Sequence, residues 1–385
     1  MKSFLAKIFV YSFFSDLIFI YPVYAVMFVE NGLSPLQISS LFIAWAGTSF
    51  LLEVPSGVLA DTYSRKTILI LAQLIRLIGY IFWITMPNFL GFLLGFILWG
   101  VQSACTSGTL ESFVYDELKM HKQENQYAKV LGQIQSLGYL ALLFSGVGAS
   151  LSIQFGYRFV LLISLFSLLI SACAIALIPK VQTTKSTQEK QYFSLLRQGL
   201  RTSLKNTAIL KIIIFVALGQ ALFGALDEYW SIFATEAGLA KSALGIFFVF
   251  YSLSQIAASV LAYRFEKKSV RFFESLFLLN GMLLLIAAHF YTVPFLLLLF
   301  LLSFSFKIID IVMQSALQHQ LKSSEVRATV TSVQGFFVEL AVVGLYLIVG
   351  IVAKNYDYQN AFLSIGWVIC LIGLTYLVLG MKRKV

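Results

Sequence analysis

Long apolar runs separated by short polar stretches set the plan of this chain. They fall at roughly 5–28, 37–60, 67–86, 89–113, 130–152 and 156–178, then resume after a polar stretch at 208–232, 242–262, 270–289, 293–316, 329–352 and 358–380. A helix needs about 20 residues to cross about 30 Å of hydrocarbon, and each run is close to that length. Backbone amides and carbonyls that face lipid have no water to bond, so every run is expected to be helical. The pattern predicts an all-α polytopic membrane protein of twelve transmembrane helices in two six-helix bundles. The first run follows Met1–Lys7 directly and outlasts a signal peptide without a small-residue cleavage site, which predicts a retained first span.

Composition strengthens this picture. Of 385 residues, 59% are hydrophobic and 12% charged, against about 25% charged in soluble globular chains. A soluble domain of this mass has too little interior to hide so much apolar side chain. The net charge of +10 raises the question of a nucleic-acid partner, and its distribution argues against one. On the side that holds the N-terminus lie 23 of the 28 Lys and Arg; Arg158, Lys241 and Lys354 lie on the other, and Arg76 and Lys307 fall inside spans. That bias predicts both termini in the cytoplasm and a multi-pass protein of a bacterial cytoplasmic (inner) membrane. The basic residues then read as anchors near anionic lipid, with no nucleic acid implied.

The polar stretch divides the chain into an N-terminal bundle, 1–179, a cytoplasmic linker, 180–206, and a C-terminal bundle, 207–385. An internal echo supports the division. Glu117-Leu118-Lys119 leading to Gln133-Ile134-Gln135-Ser136 is matched by Gln320-Leu321-Lys322 leading to Ser332-Val333-Gln334-Gly335, each before the fifth span of its half. Cys105, Cys173 and Cys370 sit in apolar surroundings without ligand spacing, and His121, His289 and His319 share none. We therefore expect no disulfide, metal or cofactor, and the chain offers no phosphate loop or catalytic triad that would mark an enzyme.

Between the second and third runs stands Pro55-Ser56-Gly57-Val58-Leu59-Ala60-Asp61-Thr62-Tyr63-Ser64-Arg65-Lys66. Gly57 permits close helix approach, and Asp61, Arg65 and Lys66 form a tight charged turn at the bilayer surface. This turn resembles the signature of the Major Facilitator Superfamily between its second and third helices, and length, span number, linker and orientation fit that family along the whole chain. The resemblance implies a secondary transporter working by alternating access. It makes Gly57, Asp61, Arg65 and Lys66 part of a conformational latch, with Glu111 or Asp116 as the acidic partner. Three departures from common family patterns accompany it: no Arg in span four, no Gly-Pro in span five, and a degraded second-half turn at Ala262–Lys268.

Ionisable residues inside a membrane are costly and usually face a bundle interior or a wet cavity. The family's path-lining helices are the first, fourth, seventh and tenth, and on these the resemblance selects Asp16, Asp227, Lys307 and Asp310. Lys307 and Asp310, three residues apart, share a helical face. They read either as mutual neutralisation or as an anion-binding Lys released when Asp310 protonates. Glu339 on span eleven is a third candidate and a possible coupling carboxylate. Tyr21, Trp99, Gln102, Gln220, Tyr229 and Gln314 are polar or aromatic candidates for contacting an organic ligand. Glu53 and Arg76 are expected to form a structural pair between spans two and three. The resulting expectation is a monomeric, proton-coupled carrier of a small organic solute, with export and uptake of a nutrient or metal chelate both open, and a lipid-handling membrane protein as the alternative.

Overall fold

The computed structural model describes residues 1–179, 207–320 and 324–379. Fifteen α-helices occur among them. In the N-terminal part these are α1 (Lys2–Asp16), α2 (Tyr24–Glu30), α3 (Pro35–Thr62), α4 (Arg65–Thr85), α5 (Phe89–Thr106), α6 (Thr109–Met120), α7 (Tyr127–Ser152) and α8 (Tyr157–Ala176). In the C-terminal part they are α9 (Thr207–Asp227), α10 (Trp230–Glu236), α11 (Leu244–Leu261), α12 (Val270–Phe290), α13 (Leu297–Gln320), α14 (Ser324–Asn355) and α15 (Tyr358–Leu379). No strand is present among the described residues.

Eleven helical segments among the described residues are long and apolar enough to cross a membrane. The expected first span differs, because α1 and α2 are two short helices separated by an irregular stretch at 17–23. Pro22 explains the interruption: it has no amide hydrogen to donate, and it disfavours helical geometry at Tyr21. Large apolar side chains lie exposed along the spans, Phe166 and Trp367 at 66% each. In water such surface would drive aggregation; in a bilayer it is the face presented to lipid.

The chain resolves into two compact units. The first takes Met1–Leu33, the chain from Leu41 to the linker, and Ala240–Val249; the second takes Ser34–Ser40, the chain from the linker to Leu239, and the remainder from Phe250. The expected linker, 180–206, lies outside the described residues, as does part of the second copy of the internal echo.

In the first unit a core of Phe4, Ile8, Tyr11, Leu69, Phe113, Val114, Leu118, Val130 and Ile175 joins α1, α4, α6, α7 and α8. Two devices bring these helices close. Ser167 and Ser171 of α8, both buried, donate to the carbonyls of Phe14 and Tyr11 at 2.9 Å each. Small hydroxyl residues suit a helix interface in lipid, where apolar surface alone gives little drive to associate. Gly79 on α4 and Gly95 on α5 supply the second device: a Cβ on Gly95 would stand 2.9 Å from the Gly79 carbonyl and against the Trp83 indole. The two helices can touch there because Gly95 lacks a side chain, and a Cβ on Gly79 would meet the Gly95 carbonyl tightly, at 3.1 Å.

A repeat of local structure appears in each half. α2 and α10 both follow a break in the helical run and both end before a glycine with positive φ, Gly32 at 80° and Gly238 at 99°. Leu33 then donates to Phe28, and Leu239 to Ala234, closing the same six-residue C-terminal cap.

Candidate functional site

α1 stops inside the apolar region, so its last carbonyls need partners that do not come from the helix itself. Three neighbouring helices supply them. Ser167 of α8 donates to Phe14, Arg76 Nη1 of α4 to Ser15 at 3.1 Å, and Ser145 of α7 to Asp16 at 3.4 Å. On the far side of the break the Ile20 amide donates to Ser164 Oγ at 3.2 Å. Sequence reasoning missed this capping set, although Ser164, Ser167 and Ser171 stand at i, i+3 and i+7 on one face of α8 and Tyr21-Pro22 marks the break.

Arg76 is the centre of the site. It is 3% exposed, and a buried guanidinium needs both hydrogen-bond acceptors and countervailing charge. Its position at the C-terminal, negative end of α1 favours the cation. Nη2 donates to the Tyr21 hydroxyl. The guanidinium carbon also lies 5.1 Å from the Trp99 ring centre, 5.6 Å from that of Tyr21 and 5.9 Å from that of Tyr80, within cation–π range. Tyr21 and Trp99 are themselves stacked, 5.3 Å apart and 11° from parallel. Gln73 Nε2 donates to Ser15 Oγ at 2.9 Å and steadies the same end of α1.

A cavity of about 370 Å³ opens beside this cluster, lined mainly by polar side chains of α1, α4 and α5, among them Ser12, Ser15, Asp16, Arg76, Gln102 and Thr106. Asp16, selected above as a path residue of the first span, is the terminal residue of α1 and lines the cavity. Among the described residues its carboxylate makes no ion pair and accepts no hydrogen bond. Gly138 of α7 leaves room for it, since a Cβ there would lie 2.9 Å from Asp16 Oδ2. Trp99 and Gln102 also line the cavity. The expected Glu53–Arg76 pair does not form: Arg76 turns toward α1 and Tyr21, and Glu53 is exposed on α3.

The second unit holds a separate polar chain. Gln334 of α14 donates to Gln220 Oε1 of α9 at 2.9 Å, Gln220 donates to Asp310 Oδ1 at 2.7 Å, and Lys307 Nζ stands 3.3 Å from Asp310 Oδ2. Gln334, marked in the sequence only as part of the internal echo, thus joins Asp310 through Gln220, while Glu339 lies five residues further along α14. Gln314 lies on α13 one turn beyond Asp310, partly buried. Tyr229, expected to line a path, is fully buried, with its ring beside Tyr346 and Tyr358 and its hydroxyl 2.6 Å from Ser39 Oγ. Asp227 ends α9 and bonds the Tyr251 hydroxyl, which also accepts from Trp230 Nε1 at 3.1 Å.

At the α3–α4 turn, Arg65 forms an ion pair with Asp116 of α6 and also reaches the Ser112 carbonyl at 3.4 Å. Of the two acidic partners considered, Asp116 is therefore the one engaged; Glu111 lies on the cavity lining instead. Lys66 donates to the carbonyls of Ala176 and Ile178, and Lys7 to that of Leu177 at 2.8 Å, so two ammonium groups cap the end of α8. Among the described residues the expected close approach at Gly57 is absent, and none lies near the place of its Cβ. Its neighbour Ser56 makes the contact, donating to the Ala104 carbonyl of α5 at 2.8 Å. The Asp61 side chain lies outside the described residues.

Known proteins share this architecture. A family described as Major Facilitator Superfamily matches residues 8–343. The uncharacterized MFS-type transporter YxaM of Bacillus subtilis (strain 168) is 24% identical over 252 residues, 64% of this chain and 62% of YxaM, so the match spans less than two thirds of that relative. The solved structure of a mutant of the nucleoside transporter NupG superposes with a TM-score of 0.81 at 15% identity, covering 99% of this chain and 100% of that one. A D-xylose-proton symporter gives 0.70 at 14% identity, covering 100% and 97%. At such identities the structural likeness concerns the fold.

Proposed function

The chain belongs to the Major Facilitator Superfamily, and from that membership we propose that it is a secondary transporter carrying a small organic solute across a bacterial cytoplasmic membrane by alternating access, coupled to protons. The observation that carries this reading is the polar cavity of the first unit. It places Asp16 and Arg76 deep in an apolar region, where ionisable groups are costly unless they serve a wet path. A purely structural bundle gains little from the desolvation cost of two such ionisable groups.

The second unit supplies the coupling element. Asp310 is held between Lys307 and Gln220. Protonation of Asp310 removes the negative charge that neutralises Lys307, so the ammonium is freed to meet an anionic group and the two helices α9 and α13 lose a charge-assisted bond. In this reading both termini are cytoplasmic, the halves 1–179 and 207–385 are the moving bundles, and the Arg65–Asp116 pair is one fastening released during the cycle. The similarity to a D-xylose-proton symporter is in keeping with proton coupling on this fold.

The test joins binding to flux. Thermal-shift measurements on the purified protein against organic cations, organic anions, sugars, peptides and iron chelates identify a solute, because a ligand that binds the native state raises its apparent stability. Uptake of that solute into proteoliposomes, with and without a pH gradient, then gives direction and coupling. Lys307→Ala and Asp310→Asn should each lower gradient-driven flux at least tenfold. Unchanged flux in both variants would remove this pair from the mechanism, and equal flux without a gradient would remove proton coupling.

A further inference from the structure

We propose that the cavity of the first unit binds an organic cation, with a protonated amine at Asp16 and a flat ring against the Tyr21–Trp99 stack. The inference rests on the reading of this cavity as a solute site, and it assigns the class of solute.

Charge accessibility decides the sign of the ligand. Among the described residues Arg76 is the one cation on the lining, yet it is 3% exposed. Its Nη1 and Nη2 are committed to the Ser15 carbonyl and the Tyr21 hydroxyl. Its remaining Nε is buried without a partner, and the rings of Trp99, Tyr21 and Tyr80 crowd the guanidinium. A solute carboxylate could reach that charge only by displacing the stack. The acidic groups are placed the other way. Asp16 is half-buried on the lining with both carboxylate oxygens unengaged, and Glu111 is an exposed second carboxylate on the same lining. The side chains that a ligand's charge can reach on this lining are therefore the acidic ones.

Shape and chemistry complete the match. About 370 Å³ is the size of pocket that takes a small organic molecule. Tyr21 and Trp99 both line the cavity as a stacked pair, and Phe96 lies 6° from parallel to Trp99 and steadies it. An aromatic face favours both ring stacking and an adjacent ammonium. The hydroxyls of Ser12, Ser103 and Thr106 offer hydrogen bonds to polar substituents of the ligand.

The experiment is isothermal titration of the purified full-length protein with three probes of one ring system: tryptamine (cation), tryptophol (neutral) and indole-3-propionate (anion). Tryptamine should bind saturably and at least tenfold more tightly than either of the others. Asp16→Asn should lower tryptamine affinity at least tenfold and erase the preference, Asp16→Glu should retain the preference, and Trp99→Leu should weaken all binding. Tighter binding of indole-3-propionate, or tryptamine affinity unchanged in Asp16→Asn, overturns the proposal. Flux separates it from the transport reading. Saturable flux of a solute with no cation preference sinks the site assignment and leaves transport standing, whereas tryptamine binding at Asp16 with no flux of any solute supports the site and sinks transport.

Discussion

An arginine inside a membrane-spanning helix persists only where its donors and its charge are answered nearby. Arg76 meets the first need with the Ser15 carbonyl and Tyr21 hydroxyl, and the second with the end of α1, the Asp16 charge and three aromatic rings. Removing it takes the donor from the Ser15 carbonyl at the helix end and leaves a cavity wall without support. Hydrogen bonds to a charged group contribute about 1.5–3 kcal/mol. Arg76→Leu is therefore expected to destabilise the protein by about 3 kcal/mol in thermal denaturation. Arg76→Lys should fall between this and the unaltered protein, because one ammonium cannot match a planar fork that bonds two acceptors while stacked among rings. If Arg76→Leu melts at the temperature of the unaltered protein, the capping role is wrong. Arg76 was visible in the sequence as an intramembrane charge, but its partner was not. Glu53 lay on the preceding span at a plausible depth, and depth alone does not say which face of a helix turns toward which neighbour.

At the scale of elements, two contacts set the site: α1 on α8 through serines, and α4 on α5 through glycines. Interhelical hydrogen bonds in membranes average about 0.6 kcal/mol. Replacing Ser164, Ser167 and Ser171 together by Ala should then cost roughly 2 kcal/mol, read as a lowered melting temperature with the fold retained. No loss would mean that packing alone holds α1 in place. Gly95→Ala sets a methyl group against the Trp83 indole and the Gly79 carbonyl. Overpacking of this kind costs about 1–3 kcal/mol. Because Trp99 follows one turn later on α5, the same change should weaken solute binding at the cavity; full stability together with full binding would show that α4 and α5 can part freely there. The helices themselves were legible, since apolar runs of spanning length have one stable form in lipid. The interruption of the first span was not, because Leu17–Val23 remains apolar throughout apart from Tyr21 and Pro22. Hydropathy counts side chains, whereas the break is a matter of backbone hydrogen bonding at Pro22. Likewise Gly57 carried the motif, but Ser56 makes the contact, a difference of about 100° around a helix that spacing within one turn does not resolve.

At the scale of the whole molecule, the family assignment and the general plan came from features summed over many residues: span length, the bias of Lys and Arg, and a polar stretch at the midpoint. Local polar chemistry was read less well. Lys307 and Asp310 share a helical turn, so their pairing follows from spacing, whereas Gln220, a candidate for ligand contact, and Gln334, marked only by the internal echo, join them from two other helices with no spacing that pairs them. In the proposed function an intramembrane carboxylate network couples solute movement to protons. Its most direct test is solute uptake into proteoliposomes, with and without an imposed pH gradient, for the compound that most raises the melting temperature. The account predicts saturable, protein-dependent flux that accumulates solute against its own gradient when the pH gradient is present and falls at least tenfold with Asp310→Asn. Unsaturable flux indifferent to the gradient, or movement of bilayer lipid with no movement of solute, would contradict it.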